Sequence, residues 1–365
     1  MKLSLRHRLE RWRGGWLALL VGLALVVGLG LVAAAALAIW RLQRQSTLAL
    51  AAGQHCALPL QDAAAPHPGM VWVPAGILSL GDTVYREEAP LRETPVAGFW
   101  MDRTEVTNDE FAAFVQATGH VTVAERAVDA ARHPDLPADM RQPGAVVFVM
   151  PTDLTGGGRL TSLTQISRWW RYTPGANWRH PGGPATDLRG RGAFPVVTVA
   201  LADAQAYARW KGHTLPSEAQ WEWAARAARR GPAPQHAQPT QANTWQGLFP
   251  VANSADDGFV GLAPVGCYAP NHQGLFDLIG NVWELTADAW TPSHATPLDA
   301  PPDQLPSDPR GLRGATAGQR VIKGGSFLCA PNYCMRYRAG ARQPQDDDLG
   351  ASHLGFRTVL AAPGP

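Results

Sequence analysis

The sequence predicts a mixed α+β domain with little regular secondary structure, and three observations point there. The 365 residues include 37 Gly and 31 Pro, so turns punctuate the chain at short intervals. Apolar runs of strand character are brief, as in Val71-Trp72-Val73, stopped by Pro74. Helix signals are few, and each covers about three turns. An apolar content of 45% against 17% charged residues excludes a disordered chain and supplies enough material for a core.

From Gly14 to Trp40, 27 positions carry no charge, and a bilayer-spanning helix needs about 20 apolar residues. Trp16 and Trp40 stand near the ends of this run, where interfacial aromatics belong. Signal-peptide cores run about 7–15 residues, so a retained anchor is expected over a cleaved leader, although Ala34, Ala36 and Ala38 imitate a cleavage site. Lys2, Arg6, Arg8, Arg11 and Arg13 precede the run and only Arg41 and Arg44 closely follow it, which keeps the N-terminus inside. The expected organisation is a cytoplasmic segment 1–13, a transmembrane helix 14–40 in a bacterial inner membrane, a linker 41–68 and a periplasmic domain 69–361.

Within the domain, Val71-Trp72-Val73 reads as the first strand. Thr107 and Glu110 form a capping box, Phe111, Phe114 and Val115 give one apolar helical face, and Gly119 stops the helix. Leu201, Ala204, Tyr207, Ala208 and Trp210 mark a helix near 201–211. A second box, Ser217 to Gln220, opens the helix of Trp221, Ala224, Ala225 and Ala228. The Pro- and Asp-rich stretch 291–319 reads as an exposed loop. Eleven of the 14 Trp lie beyond the apolar run, and most are expected in the core.

The first 44 residues hold seven basic residues and one acid, so the rest carries 25 basic against 29 acidic residues. A mildly acidic domain with no basic stripe excludes nucleic-acid binding. Four cysteines are too few for a disulfide scaffold; Cys56 and Cys267 are isolated, with their pairing open, while Cys329 and Cys334 stand five apart. That spacing does not suit a structural zinc site. The 11 His show no metalloprotease-type signature, and no nucleophile elbow or phosphate loop is present.

Several segments, in order, resemble the formylglycine-generating enzymes, the sulfatase-modifying factors. They are Gly69-Met70-Val71-Trp72-Val73-Pro74-Ala75-Gly76, Leu215-Pro216-Ser217-Glu218-Ala219-Gln220-Trp221-Glu222-Trp223-Ala224, Gly280-Asn281-Val282-Trp283-Glu284-Leu285, Gly324-Gly325-Ser326-Phe327 and Leu354-Gly355-Phe356-Arg357. Gly175-Ala176-Asn177-Trp178-Arg179-His180-Pro181 and Asn243-Thr244-Trp245-Gln246-Gly247 are also similar to the authentic enzymes. The resemblance covers 69–360 and implies that family's fold, a variant of the C-type-lectin-like fold. Its discriminating part is Cys329 after Gly324-Gly325-Ser326-Phe327-Leu328, followed by Tyr333-Cys334-Met335-Arg336-Tyr337-Arg338.

The resemblance implies that Cys329 and Cys334 hold Cu(I), a soft ion suited to few thiolates. It further implies that the cysteine of a C-x-P-x-R motif in a client sulfatase enters as a third thiolate and is oxidised with O2 to Cα-formylglycine. Ser326 is then expected to hydrogen-bond near the reacting atoms, and Trp283 to wall the pocket. A plain disulfide is the alternative for two exported cysteines. Two calcium sites are implied as well, one at Asn243, Thr244, Asp257 and Phe259, the other at Asp277, Gly280, Val282 and Glu284; turn chemistry is the alternative for each. Arg336, Arg338, Arg342 and Arg357 either line a peptide groove or pair with internal carboxylates.

Two departures stand out: Ala330 occupies a position that is often His, and Ala208, Ala225, Ala339 and Thr358 stand where eukaryotic relatives have disulfide cysteines. Two other functions share the fold: an oxidoreductase acting on a different exported client, such as a siderophore precursor or peptide, and a lectin-like binding module.

Overall fold

The computed structural model describes residues 65–151, 169–226, 237–296 and 318–361, together with Cys56 and five helical residues between 30 and 39. The chain divides into two compact units, Met1–Ala52 and Gly53–Pro365. The expected span 14–40 lies largely outside the described residues, and among these no helix is long and apolar enough to cross a membrane.

In the second unit, strand β1 (Met70–Val73) pairs antiparallel with β4 (Phe99–Asp102), whose other edge takes β11 (Val359–Ala361). Alternate residues of this sheet, Val73, Phe99, Met101 and Val359, face inward onto Trp221, Leu275 and Leu278. β2 (Gly76–Leu80) and β3 (Arg92–Val96) form a two-stranded sheet, as do β5 (Gly144–Phe148) and β6 (Trp170–Pro174). The four-stranded sheet runs β10-β7-β8-β9, built from β7 (Trp283–Ala289), β8 (Gln319–Lys323), β9 (Arg342–Asp346) and β10 (Leu354–Gly355), with β10 parallel to β7. These short strands between long irregular connections bear out the α+β expectation.

Helix α1 (Asn108–Thr118) starts where expected. Glu110 N–H donates to Thr107 Oγ1 at 3.3 Å, Thr107 N–H donates back to Glu110 Oε2 at 2.8 Å, and Gly119 ends the helix at φ 70°. α2 (Leu201–Lys211) buries Leu201, Ala204, Tyr207 and Ala208 as expected. Trp210, on the same helix, is 41% exposed, lapping the rim of the core against Phe114 and Tyr207. α3 (Glu218–Arg226) is opened by the Ser217–Gln220 box, with Gln220 N–H on Ser217 Oγ at 3.0 Å, and Ala228 lies outside the described residues. Of the expected loop 291–319, residues 297–317 lie outside the described residues, and Gln319 already belongs to β8.

The i, i+4 carboxylates of α3 explain why its motif carries two glutamates. Lys323 Nζ is fully buried and lies 2.9 Å from Glu222 Oε2, while Arg342 Nε lies 2.9 Å from Glu218 Oε1. Burial alone raises the Glu218 carboxyl, but Lys323, His294 and Arg342 together hold it down at about 2. Cys56 and Cys267 form a disulfide across 211 residues, which settles their open pairing and ties the segment before β1 to the domain. Thr358 shares its hydroxyl with Asp102 and His213 Nδ1, at 2.5 and 2.7 Å.

Candidate active site

The two motif cysteines are brought together by a tight turn and one helical turn. Ser326 C=O accepts from Cys329 N–H at 2.9 Å, and Ala330 C=O accepts from Cys334 N–H, also at 2.9 Å. The preceding glycines are required by this path. Gly324 and Gly325 have φ of 97° and 77°, and a Cβ on Gly325 would lie 3.2 Å from Cys329 Sγ. Both thiols are free and buried, with the sulfurs 2.8 Å apart. The hydrogen bond with Cys329 pulls the Cys334 thiol down, helped by the charge of Arg336. Burial, and then the Cys334 anion, push the Cys329 thiol well up.

Around the pair, Ser326 is fully buried, its N–H donates to Cys329 Sγ at 3.4 Å, and its Oγ accepts from Leu328 N–H at 3.3 Å. Trp283 packs in the same core cluster as both cysteines and Tyr337. The other wall is aromatic, with Trp169, Trp245, Phe249 and Tyr333 gathered about Ala330 and Leu328.

Two irregular loops carry the cysteine turn. Phe327 N–H donates to Asn281 C=O at 2.9 Å and Trp245 N–H to Cys329 C=O at 3.0 Å. The loops also bond each other: Asn281 N–H reaches Asn243 C=O at 2.9 Å, and a Cβ on Gly280 would strike that carbonyl oxygen at 2.4 Å. Asp277 and Asn281 adopt left-handed φ of 54° and 52° to make the bend.

This is the arrangement of a known family. The family described as "Sulfatase-modifying factor enzyme 1-like domain" matches residues 56–362. The chain belongs to the formylglycine-generating enzyme family. It is 44% identical over 300 residues to the formylglycine-generating enzyme of Mycobacterium tuberculosis, covering 80% of this chain and 97% of that one. To the formylglycine-generating enzyme of Mus musculus it is 39% identical over 303 residues, covering 79% of this chain and 74% of the relative. The fold is also that of PvdO from Pseudomonas aeruginosa, at a TM-score of 0.52 and 22% identity, covering 80% of this chain and 94% of that structure.

The motif residues shared with the formylglycine-generating enzyme family thus converge: Cys329, Cys334, Ser326 and Trp283 meet in one buried place. The four arginines do not line a groove. Arg342 and Arg357 are 1% and 0% exposed, and Arg357 grips Glu284 with Nε–Oε2 and Nη2–Oε1 both at 2.7 Å. Arg338 binds Asp82 and Glu88, while Arg336 binds Glu87 and lies 4.1 Å over the Tyr85 ring. Buried carboxylates demand these partners, so internal pairing wins.

Glu284 is therefore committed to Arg357, and to Trp221 Nε1 at 2.8 Å. The unpartnered oxygen belongs to a residue that the sequence reading passed over, Glu105. Its carboxylate is fully buried, Oε1 accepts from Asn281 Nδ2 at 3.1 Å, and Oε2 has no hydrogen-bond partner. Burial and then the neighbouring Asp277 push the Glu105 carboxyl well up, and burial raises Asp277 to about 6. No pattern marks Glu105 in the sequence, because its neighbours come from 172 and more residues further along. At the other expected site, Asp257 accepts from the N–H groups of Thr244 at 2.9 Å and Phe259 at 3.2 Å and from Gln246 Nε2, the bonding of a carboxylate-capped turn. Among the described residues no three His, Cys, Asp or Glu side chains group as a metal centre, so a cation here must draw on carbonyls too.

Asp102, beside this cluster, gives a pH test. Burial raises its carboxyl from 3.8 to about 6, so the folded state holds this proton more tightly than the unfolded chain. That contribution to stability is fully present below pH 3.8 and lost as pH rises through 6. Relative to Asp102→Asn, the parent should gain up to about 3 kcal/mol between pH 8 and pH 4. Urea midpoints of the two proteins across that range check it; a constant difference overturns it.

Proposed function

We propose that this protein converts the cysteine of a C-x-P-x-R motif in a client sulfatase to Cα-formylglycine, using O2 and Cu(I). The observation that carries the reading is the pair of free, buried, facing thiols at Cys329 and Cys334. A disulfide-bonded or lectin-like module has no use for such a pair, whereas a soft two-thiol donor set fits Cu(I). When bound, that ion supplies the electron transfer through which O2 oxidises the client thiol. Cys329 and Cys334 would hold the ion through their two facing sulfurs. Trp283 and Tyr337 exclude bulk water from the sulfurs, and Ser326 fixes the turn that aims Cys329. Oxidation moves two electrons and two protons from the client's Cβ–S unit to O2, which leaves as hydrogen peroxide, and hydrolysis of the resulting thioaldehyde releases hydrogen sulfide and leaves the aldehyde. The test is the purified chain with a C-x-P-x-R peptide under oxygen, with and without Cu(I), followed by mass spectrometry. Copper-dependent replacement of the client's thiol side chain by an aldehyde supports the reading, and equal turnover after rigorous copper removal overturns it.

Calcium is proposed to hold the loops beneath the turn. Asp277, the Gly280 and Val282 carbonyls and Glu284 form one set, in which Glu284 keeps its pair with Arg357 and the unpartnered oxygen of Glu105 supplies a further ligand. Asn243, Thr244, Asp257 and Phe259 form the other. Calcium should raise the melting temperature by mass action, and Asp277→Ala should erase most of that rise. Equal melting in calcium and in chelator counts against both sets.

The first unit is proposed to anchor the enzyme in the inner membrane through 14–40, with the catalytic domain on the periplasmic side. An oxidising compartment suits the Cys56–Cys267 disulfide. Fusions after Leu60 should be active only with exported reporters. Activity of a cytoplasmic reporter there overturns the orientation.

A further inference from the structure

The outer face of the β1-β4-β11 sheet carries a row of large apolar side chains that no part of the proposed reaction uses. Trp72 on β1 stands opposite Trp100 on β4, and Trp100 opposite Leu360 on β11. Trp72 is 42% exposed, and its ring meets that of Trp100 edge to face at 5.6 Å. The chain enters the domain beside this row. His67 packs its ring on Trp100 at 4.9 Å, Met70 N–H donates to His67 C=O, and Arg103 N–H donates to Gly69 C=O. From Arg103 the contacts run on to Phe276, and Asp277 accepts from Gly266 N–H at 2.6 Å, next to the Cys267 that holds Cys56. The uncharged run ends at Trp40, so fifteen residues, 41–55, lie between it and the disulfide. Fully extended, such a segment reaches about 50 Å.

We infer that this sheet face docks on the lipid surface, with Trp72 and Trp100 at the headgroup level. Indoles favour that zone because their rings are apolar and their N–H is polar. The short tether raises the local concentration of bilayer at this face, so few side chains suffice. The consequence is a fixed orientation of the domain against the membrane. This inference rests on the proposed anchor, and the experiment separates the two.

The full chain carrying Trp72→p-benzoylphenylalanine is reconstituted in phosphatidylcholine–phosphatidylglycerol vesicles, irradiated, and its peptides are read by mass spectrometry. Ile77→p-benzoylphenylalanine, on β2 and 67% exposed in the parent, is the control. Flotation under alkaline conditions reports the anchor independently. Lipid-mass adducts at 72 with loss of that signal at 77 are expected. Equal adducts at both positions, a crosslink from 72 to protein, or no adduct in chains that float overturn the docking and leave the anchor standing. Chains that neither float nor form adducts overturn both. Adducts at 72 in chains that do not float support docking without the anchor.

Discussion

Cys329→Ser and Cys334→Ser should each abolish the proposed formylglycine formation, read by the mass of a C-x-P-x-R peptide incubated under oxygen with Cu(I). A hydroxyl is hard and weakly acidic, so it cannot stand in for a soft thiolate. Both variants should also lose tight Cu(I) binding, a readout independent of turnover. Their folds should survive: serine is nearly isosteric, the turn's backbone bonds from Cys329 and Cys334 N–H do not use the side chains, and the shift in stability should stay within about 1–2 kcal/mol. Cys56→Ser with Cys267→Ser should show the opposite pattern. Activity is kept, while loss of a disulfide closing a 211-residue separation costs about 2–4 kcal/mol. Full turnover by either motif variant overturns the proposed mechanism.

Arg357→Met should be the most destabilising single change near the site. The guanidinium is fully buried, grips Glu284 with two bonds at 2.7 Å, and donates to Phe276 C=O at 2.9 Å. It is the positive charge set among Glu105, Asp277 and Glu284, and all three raise its own pKa. Removing it strands buried carboxylates, which costs about 3–5 kcal/mol, or on the order of 10 °C in melting temperature for a domain of this size. Calcium should return part of that loss, because a cation supplies the missing charge. Glu284→Gln, which keeps an acceptor for Trp221, should be milder than Glu284→Ala. Urea midpoints with calcium and with chelator check both statements; an Arg357→Met protein as stable as the parent overturns them.

The buried charges also show where inspection of a sequence stops. From the sequence, the arginines of the cysteine motif and of Leu354-Gly355-Phe356-Arg357 fit a peptide groove or internal pairing equally well. Their partners are Asp82, Glu87, Glu88, Glu218 and Glu284, up to 256 residues distant, so only the folded chain could assign them. Trp210 fits the helical period of α2 yet sits at the rim, because period gives a direction around the helix and not the depth of the neighbour it faces.

What the sequence determined by itself was local or ordered along the chain. Both capping boxes and the Gly119 stop followed from bonds that reach four residues or fewer, and the first strand from a short apolar run stopped by Pro74. The ordered motifs placed the family and singled out Cys329 and Cys334 as the pair to examine. The tertiary structure alone decided the rest: the Cys56–Cys267 disulfide, the unpartnered oxygen of Glu105, the commitment of Glu284 to Arg357 and the unequal acidity of the two thiols. Each depends on burial and on groups distant in sequence. Desolvation and charge pairing act through space, and a linear pattern records neither the depth of a side chain nor the far residue that comes to face it.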